Sequence, residues 1–467
     1  MPDTKANTRD HAVVIGGSIA GLCAARVLSD LYSRVTVYER DDLPSTPSNR
    51  ATVPQDRHLH MLMARGAMEF ESLFPGLLKD MVAAGVPILH NRPDCIHLGA
   101  AGHVLGTAHT LRDEFTAYVP SRPHLEWQLR KRVQNTDNVT MVRRSVTGPR
   151  FDPARQRVTG VELDPADGGD PQFVAADLVV DAAGRGTRLP VWLSQWGYER
   201  PREDLLDIGI YYATQQFRMP EGLIAEKVVV AGASHDKSLG LGMLCYEDGT
   251  WVLTTFGVAN VKPPQTFPEM LDLAEELVPA HVNAALKQAD PIGEPAFHAF
   301  PASKWRRYDK LDRLPAGIIA FGDAVASFNP TFGQGMTMTS LQAGHLRRAL
   351  QLPDDEVASA LNRATAKTTF PVWTMNAIGD VTFHHAGTKG PVPWWWRPSG
   401  ALFDQFLGAA ETDPVLAEWF LRRFSLLDSL YMVPPPRIVG RAIAHNLRLW
   451  LGERRQARRP LTTLRSP

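Results

Sequence analysis

Ala12-Val13-Val14-Ile15, Gly16-Gly17-Ser18-Ile19-Ala20-Gly21, the apolar run Leu22 to Leu31, and Val35-Thr36-Val37-Tyr38-Glu39 read in order as strand, tight turn, helix and strand. The first strand is continuously apolar rather than alternating, which suits a parallel sheet covered on both faces. Gly16 lets the chain turn sharply after the strand. Gly21 lets the helix pack closely on the sheet, and the N–H groups at the helix start then aim at a pyrophosphate. Ser18 fills the second glycine slot, adding a small side chain that can donate a hydrogen bond.

A glycine turn alone is equally well a structural turn. Glu39 changes the balance, because it ends the second strand 39 − 21 = 18 residues after Gly21, close to the spacing of a ribose-binding acid. A carboxylate there accepts from ribose hydroxyls and repels a 2′-phosphate. The expected ligand is FAD or NAD rather than NADP, with the neighbouring Arg40 tempering that exclusion.

Outward from this unit, Asp41 to Thr52 reads as loop, and Met61 to Val82 as two helices broken at Pro75-Gly76. Arg122 to Val133 reads as a helix capped by Ser121, with Pro123 just inside its start. Ala176 to Asp181 and Gly317 to Asp323 are short apolar strands that each end in Asp near Gly. Between them the texture alternates, with Asp248-Gly249 joining Leu241–Tyr246 to Trp251–Phe256 as a hairpin. Thr266 and Glu269 form a capping box for a helix over Met270 to Leu286.

The expected fold class is α/β. A Rossmann-like dinucleotide-binding domain with a parallel sheet, an FAD-binding domain by the family resemblance of its later motifs, takes residues 1–89, 120–200 and 301–350. An antiparallel-sheet substrate domain, 90–119 and 201–300, is inserted into it, and a C-terminal helical region takes 351–467.

The 467 residues are enough for about three domains. Lys+Arg and Asp+Glu each number 50, so no net charge draws the chain to nucleic acid or anionic lipid. Cys23, Cys95 and Cys245 lack any C-x-x-C spacing, which points to a reducing, cytoplasmic setting. Met1 to Asp10 is polar, unlike a signal peptide, and no window reaches the apolar length of a membrane span. His58 and His60 lie two apart and His384 and His385 are adjacent, with no metal-ligand spacing among the 15 histidines, so no metal is expected.

Two further motifs carry a family resemblance. Asp181-Ala182-Ala183-Gly184-Arg185-Gly186-Thr187-Arg188 resembles the Asp-Gly fingerprint of flavoprotein monooxygenases. Gly322-Asp323-Ala324, followed by Pro330 and Gly333-Gln334-Gly335, resembles their Gly-Asp fingerprint. With the first turn, these resemble the para-hydroxybenzoate hydroxylase-like class over roughly residues 10 to 350. Val53-Pro54-Gln55-Asp56-Arg57-His58-Leu59-His60, Ser121-Arg122-Pro123-His124-Leu125-Glu126 and Ser327-Phe328-Asn329-Pro330 look most like its bacterial epoxidase and hydroxylase branch, which includes polyether-forming epoxidases. The departures are Ala182-Ala183 and Ala326.

The resemblance implies FAD. Asp323 would bond the ribityl hydroxyls, or else cap a helix; Arg122 would reach the phosphate or ribityl region, or else make a surface ion pair. Arg57 faces the flavin phosphates or solvent. Gly333 and Gly335 allow close backbone approach to the isoalloxazine. The helix beginning near Met336 favours an anionic reduced flavin through its positive end. NAD(P)H is implied as a transient reductant, directly or through a separate flavin reductase, and molecular oxygen as co-substrate. A flavin C4a-hydroperoxide would then deliver one oxygen atom to an apolar, natural-product substrate by epoxidation or hydroxylation.

No catalytic base stands out. Tyr211, Tyr212 and His298 lie in the substrate domain, and His58 is read as a flavin-side or substrate-side donor or as loop packing. Leu241, Met243 and Cys245 share one strand face that either lines the substrate pocket or is ordinary core. Trp394-Trp395-Trp396 either lines a substrate mouth or anchors a loop, and it lacks the W-x-W-x-I-P pattern of flavin-dependent halogenases. Ile438 to Arg459, with apolar Ile443, Leu447 and Trp450 beside Arg454, Arg455, Arg458 and Arg459, reads as a docked terminal helix with a basic end or else as a membrane-surface helix, and of the two the docked helix is expected rather than membrane association. Two other functions stay open: a non-redox cyclase with a structural flavin, and an FAD-dependent isoprenoid reductase.

Overall fold

A computed structural model describes residues 9–50, 53–90, 96–105, 116–165, 171–383, 387–389 and 393–457. Cys95, His384, His385, Arg458 and Arg459 lie outside the described residues. The chain begins β1 (Arg9–Ile15), α1 (Ile19–Ser29), β2 (Tyr32–Glu39), α2 (Ala64–Leu73), α3 (Leu77–Ala83), β3 (Ile88–His90), β4 (Ile96–Ala100), β5 (His103–Val104), β6 (Thr116–Tyr118) and α4 (Arg122–Gln134). It continues through β7 (Val139–Arg143), β8 (Val146–Asp152), β9 (Arg157–Leu163), β10 (Gln172–Ala175), β11 (Leu178–Asp181), α5 (Leu189–Gln195), β12 (Glu203–Arg218), β13 (Val228–Ala231), β14 (Leu239–Cys245) and β15 (Trp251–Gly257). There follow α6 (Phe267–Leu277), α7 (Ala280–Leu286), β16 (Asp290–Arg306), β17 (Ile318–Ala320), β18 (Ala326–Ser327), α8 (Gly335–Ala349), α9 (Asp354–Asp380), β19 (Gly387–Lys389), α10 (Trp396–Ala410), α11 (Pro414–Phe424) and α12 (Pro436–Ala457).

The parallel sheet has the order β17-β11-β1-β2-β7. Ala12 and Val14 enter one core cluster with α1 while Val13 enters another with Tyr38 and Val179. Both faces of β1 are therefore covered, as its unbroken apolar run requires. Register brings Ile15 opposite Tyr38 and Asp181, and Asp181 opposite Ala320. The glycine turn, Glu39 and both fingerprint segments thus meet at one carboxyl edge of the sheet, where open α/β sheets hold their ligands.

The Ser121 hydroxyl accepts from His124 N at 3.2 Å, capping α4 as its sequence predicts. The antiparallel sheet β8-β9-β10 has no counterpart in the sequence reading; its Val158, Val161 and Leu163 join the core cluster around Val13.

The largest sheet runs β18-β16-β12-β15-β14-β13-β4-β5, with β19 also paired to β12. The Thr266/Glu269 capping box starts α6. The single helix expected over 270–286 is instead two, because Val278 is extended and Pro279 precedes α7. Both helices pack on one face of the sheet. Beyond α8 and the 27-residue α9, helices α10, α11 and α12 form a separate cluster with Leu105. No helix among the described residues is long and apolar enough to cross a membrane.

Candidate active site

At the first turn Gly16 adopts φ +103°, and a Cβ there would meet the Ala182 carbonyl oxygen at 2.8 Å. A Cβ on Gly21 would lie 1.9 Å from the Gly16 carbonyl, so α1 rests directly on the turn. Ser18 makes no side-chain cap to α1, whose N-terminus opens on a cavity lined by Gly16, Ser18 and Glu39. The Glu39 carboxylate accepts from Gly17 N at 2.8 Å and from Asp41 N at 3.1 Å.

Sequence reasoning missed Arg50, which lies in a Pro/Ser/Asn-rich loop with no motif around it. It is buried, and its guanidinium reaches Ser18 Oγ at 3.1 Å, Glu39 Oε2 at 3.0 Å, Asp41 Oδ2 at 2.8 Å and Glu126 Oε1 at 2.9 Å. Three carboxylates, two at the end of β2 and one from α4, offset the cost of burying that cation. Arg40, by contrast, is exposed at the cavity rim. Arg57 is exposed and does not line the cavity, which corrects its assignment to the cofactor site; the short 3-10 turn Pro54–Arg57 directs it to solvent.

Asp181 is fully buried, accepting from Ala183 N at 3.0 Å and from the Thr187 hydroxyl, so it shapes its turn. Arg306, also missed, clamps the two fingerprint turns together by donating to the carbonyls of Arg185 at 2.8 Å and Ala324 at 3.1 Å. Arg122 donates to Asp56 Oδ1 at 3.0 Å. Arg122 and Asp323 both line the cavity. Burial pushes the Asp323 carboxyl up, opposed by Arg185, Arg122 and Arg306. Gly333 takes φ +66° and α8 begins without a side-chain cap, so a second helix N-terminus opens on the same cavity. Gln334 is buried, donating to the Phe424 carbonyl at 3.3 Å and accepting from Asn376 Nδ2 at 3.0 Å. The glycine loop is thereby tied to α9 and α11.

The cavity, about 2480 Å3, runs from these turns past the large sheet into α9 to α12. Alternation on β12 turns Tyr212 inward and Tyr211 away, so Tyr211 is not a lining residue. Met243 and Cys245 are likewise corrected: they lie in the cluster beneath α6 and α7, on the sheet face opposite Gly242 and Thr254, and only Leu241 of the three reaches the lining. Trp394 is exposed, Trp395 lines the cavity and Trp396 is core, so the tryptophan run divides between both of its readings.

Among the buried polar atoms on lining residues that make no hydrogen bond to protein are His58 Nε2, Tyr212 Oη and Asp380 Oδ2. His58 Nδ1 pairs with Thr214 Oγ1 at 2.8 Å, and Thr214 with Thr254 Oγ1 at 2.7 Å. Burial, aided by His298 and Arg57, pushes His58 down to about 4, so its ring is neutral at neutral pH. Asp380 is pushed up to about 7 by burial, while Asn329 Nδ2, donating to Oδ1 at 2.8 Å, pulls it back. Burial also raises the Tyr212 phenol, keeping it protonated. The His58 and Tyr212 rings lie 5.8 Å apart, and with the Asp380 carboxyl they face one cavity, where each can hydrogen-bond a polar group of a bound molecule. Asp380 gave no sequence signal, being one of many acids in a helical tail. No group of three or more His, Cys, Asp or Glu suited to a metal occurs among the described residues.

Comparison with known proteins places this architecture. The chain shares its fold with the flavin-dependent brominase Bmp2, at TM-score 0.61 and 15% identity, over 94% of this chain and 100% of that one. Kynurenine 3-monooxygenase of Salinispora tropica is 24% identical over 386 residues, 77% of each chain. Residues 390–456 match the Mycobacterium Rv3254 C-terminal domain family. Protein Rv3254 of Mycobacterium tuberculosis is 76% identical over 469 residues, covering 99% of both chains, and this protein belongs to the Rv3254 family.

Proposed function

We propose that the protein is an FAD-dependent monooxygenase that inserts one oxygen atom into a large, mainly apolar molecule by epoxidation or hydroxylation. The observation that carries this reading is the meeting of two uncapped helix N-termini, those of α1 and α8, with Glu39 and Asp323 on one cavity. These residues fit FAD. The α1 terminus and the Gly16 turn suit its pyrophosphate, Glu39 its ribose and Asp323 its ribityl chain. Gly333 and the α8 terminus suit the pyrimidine edge of an isoalloxazine that carries negative charge when reduced. The shared fold with a flavin-dependent brominase supports a flavin in this site, and the weaker likeness to kynurenine 3-monooxygenase supports monooxygenation as the reaction class.

When bound and reduced by a nicotinamide, FAD supplies the oxygen-activating chemistry. The chain's own residues do the rest. Phe256, Phe300 and Met375 line the chamber and exclude water from it. His58, Tyr212 and Asp380 orient the acceptor through its polar group, and Asp380 takes up or releases a proton at Oδ2.

The test is anaerobic addition of NADH or NADPH to the purified yellow protein, followed by 18O2 with candidate acceptors. Bleaching, reoxidation and one labelled atom in the product are expected. Isomeric product without reductant would replace this reading with a cyclase, and product gaining two hydrogens with an isoprenoid reductase.

A further inference from the structure

The C-terminal helix α12 has three distinct sides. Ile438 and Ala442 are buried against α10 and α11, and Asn446 Nδ2 donates to the Gln405 carbonyl at 3.0 Å. At about 100° per residue, Val439, Ile443, Leu447, Trp450 and Leu451 fall on one adjoining stripe. This stripe is exposed: Ile443 to 65%, Leu447 to 53% and Leu451 to 43%. Arg437, Arg441 and Arg448 follow on the far border of the stripe, about 140° from Ile443. Arg441 is bonded to Asp413, while Arg437 and Arg448 are exposed.

The stripe continues into the mouth of the cavity. Ile443, Val439, Val433 and Leu402 are at once exposed and part of the cavity lining, with Val433 at 70% and Leu402 at 73%. The cavity therefore opens beside α12 through an apolar collar, with the exposed Arg397 also on its lining. Its opposite end, at Glu39, Arg40 and Asp41, is polar.

We propose that α12 and this collar lie on an anionic lipid surface, from which the cavity takes a lipid-dissolved substrate. The geometry selects a bilayer over a folded partner because whatever covers the collar must also let an apolar molecule pass into the cavity. A protein seated there would close the mouth. A lipid surface solvates the stripe and the collar, supplies the acceptor, and sets its phosphates against the bordering arginines. The apolar area that would otherwise face water is thereby accounted for. This reading rests on the proposed oxygenase only for what the cavity does with its contents; the surface binding stands separately.

The experiment is sedimentation of the full chain with phosphatidylcholine vesicles, with and without phosphatidylglycerol. The comparison variant is Leu447→Asp/Leu451→Asp, whose positions are exposed and outside the cavity lining. The protein should pellet with the phosphatidylglycerol vesicles, less so as salt rises. The double variant should lose at least tenfold in vesicle affinity with unchanged flavin content and circular dichroism. Equal pelleting of both proteins, or no pelleting of either, would overturn the proposal. So would wild-type dimers that the variant converts to monomers by light scattering, which would make the stripe an interface between copies. Vesicle binding is read without turnover, so a flavin-free or oxygenase-negative protein that still pellets refutes the function and spares the surface.

Discussion

Replacing Asp380 by Asn isolates the cost of the buried carboxyl near the glycine loop. Asp380 is 2% exposed, and its hydrogen bond from Asn329 has a neutral counterpart in the amide. In the folded protein its pKa rises from the ordinary 3.8 to about 7. A raised carboxyl pKa means that the unfolded chain releases its proton first. Stability is thus unaffected below pH 4, falls as pH rises toward 7, and levels off above that. At about 1.4 kcal/mol per tenfold, the accumulated penalty is about 4 kcal/mol at pH 8 and less than half of that at pH 5. Asp380→Asn should remove it. Urea denaturation of both proteins as purified, at pH 5, 6, 7 and 8, should show the variant gaining on the wild type with each step to neutrality. A variant less stable than the wild type at pH 8, or a gap independent of pH, would refute the reasoning, because it would mean that Asp380 is ionised and well solvated in the fold.

Glu39→Ala should weaken FAD binding by about 1 to 3 kcal/mol, read by equilibrium dialysis; unchanged affinity would remove Glu39 from the ribose site. Gly21→Ala should give protein that is colourless or insoluble, since its methyl meets the Gly16 carbonyl at 1.9 Å, and a soluble variant with full flavin content would contradict that packing. Met243→Ala should cost about 2 to 5 kcal/mol of stability and leave product distribution unaltered, because Met243 sits beneath α6 and α7 rather than on the cavity. Gly242→Ala, on the cavity face against Leu59, should alter product distribution instead, as measured by chromatography of the products.

Local signals carried the parts of the fold that depend on local geometry. The apolar run at Val13, the left-handed turn at Gly16 and the Ser121 cap each report on neighbours a few residues away, and each reads correctly. Tyr211 and Tyr212 show the limit: alternation says that they face opposite ways, but not which way is inward. The same ambiguity placed Met243 and Cys245 on the cavity, because a strand covered on one side by helices and on the other by a pocket is apolar on both. Arg50, Arg306 and Asp380 were illegible for a different reason. Their partners lie on distant segments, as with Arg50 and Glu126, 76 residues apart, or Asn329 and Asp380, 51 apart.

The strand order of the parallel sheet has a consequence for how the chain is made. β1 leaves the ribosome well ahead of its neighbour β11, which ends at Asp181, and β17 closes the sheet only at Ala320. At about 5 to 20 residues per second, an interval of tens of seconds separates the first strand from the last. Until β11 is made, about halfway through that interval, the edge of β1 that will pair with it has no partner, and the carbonyl of Ala182 that backs the Gly16 turn does not yet exist. The cradle formed by the Gly16 turn, Asp323 and the glycine loop is therefore complete only late in synthesis, and until then the open edge of β1 is a site for wrong pairing.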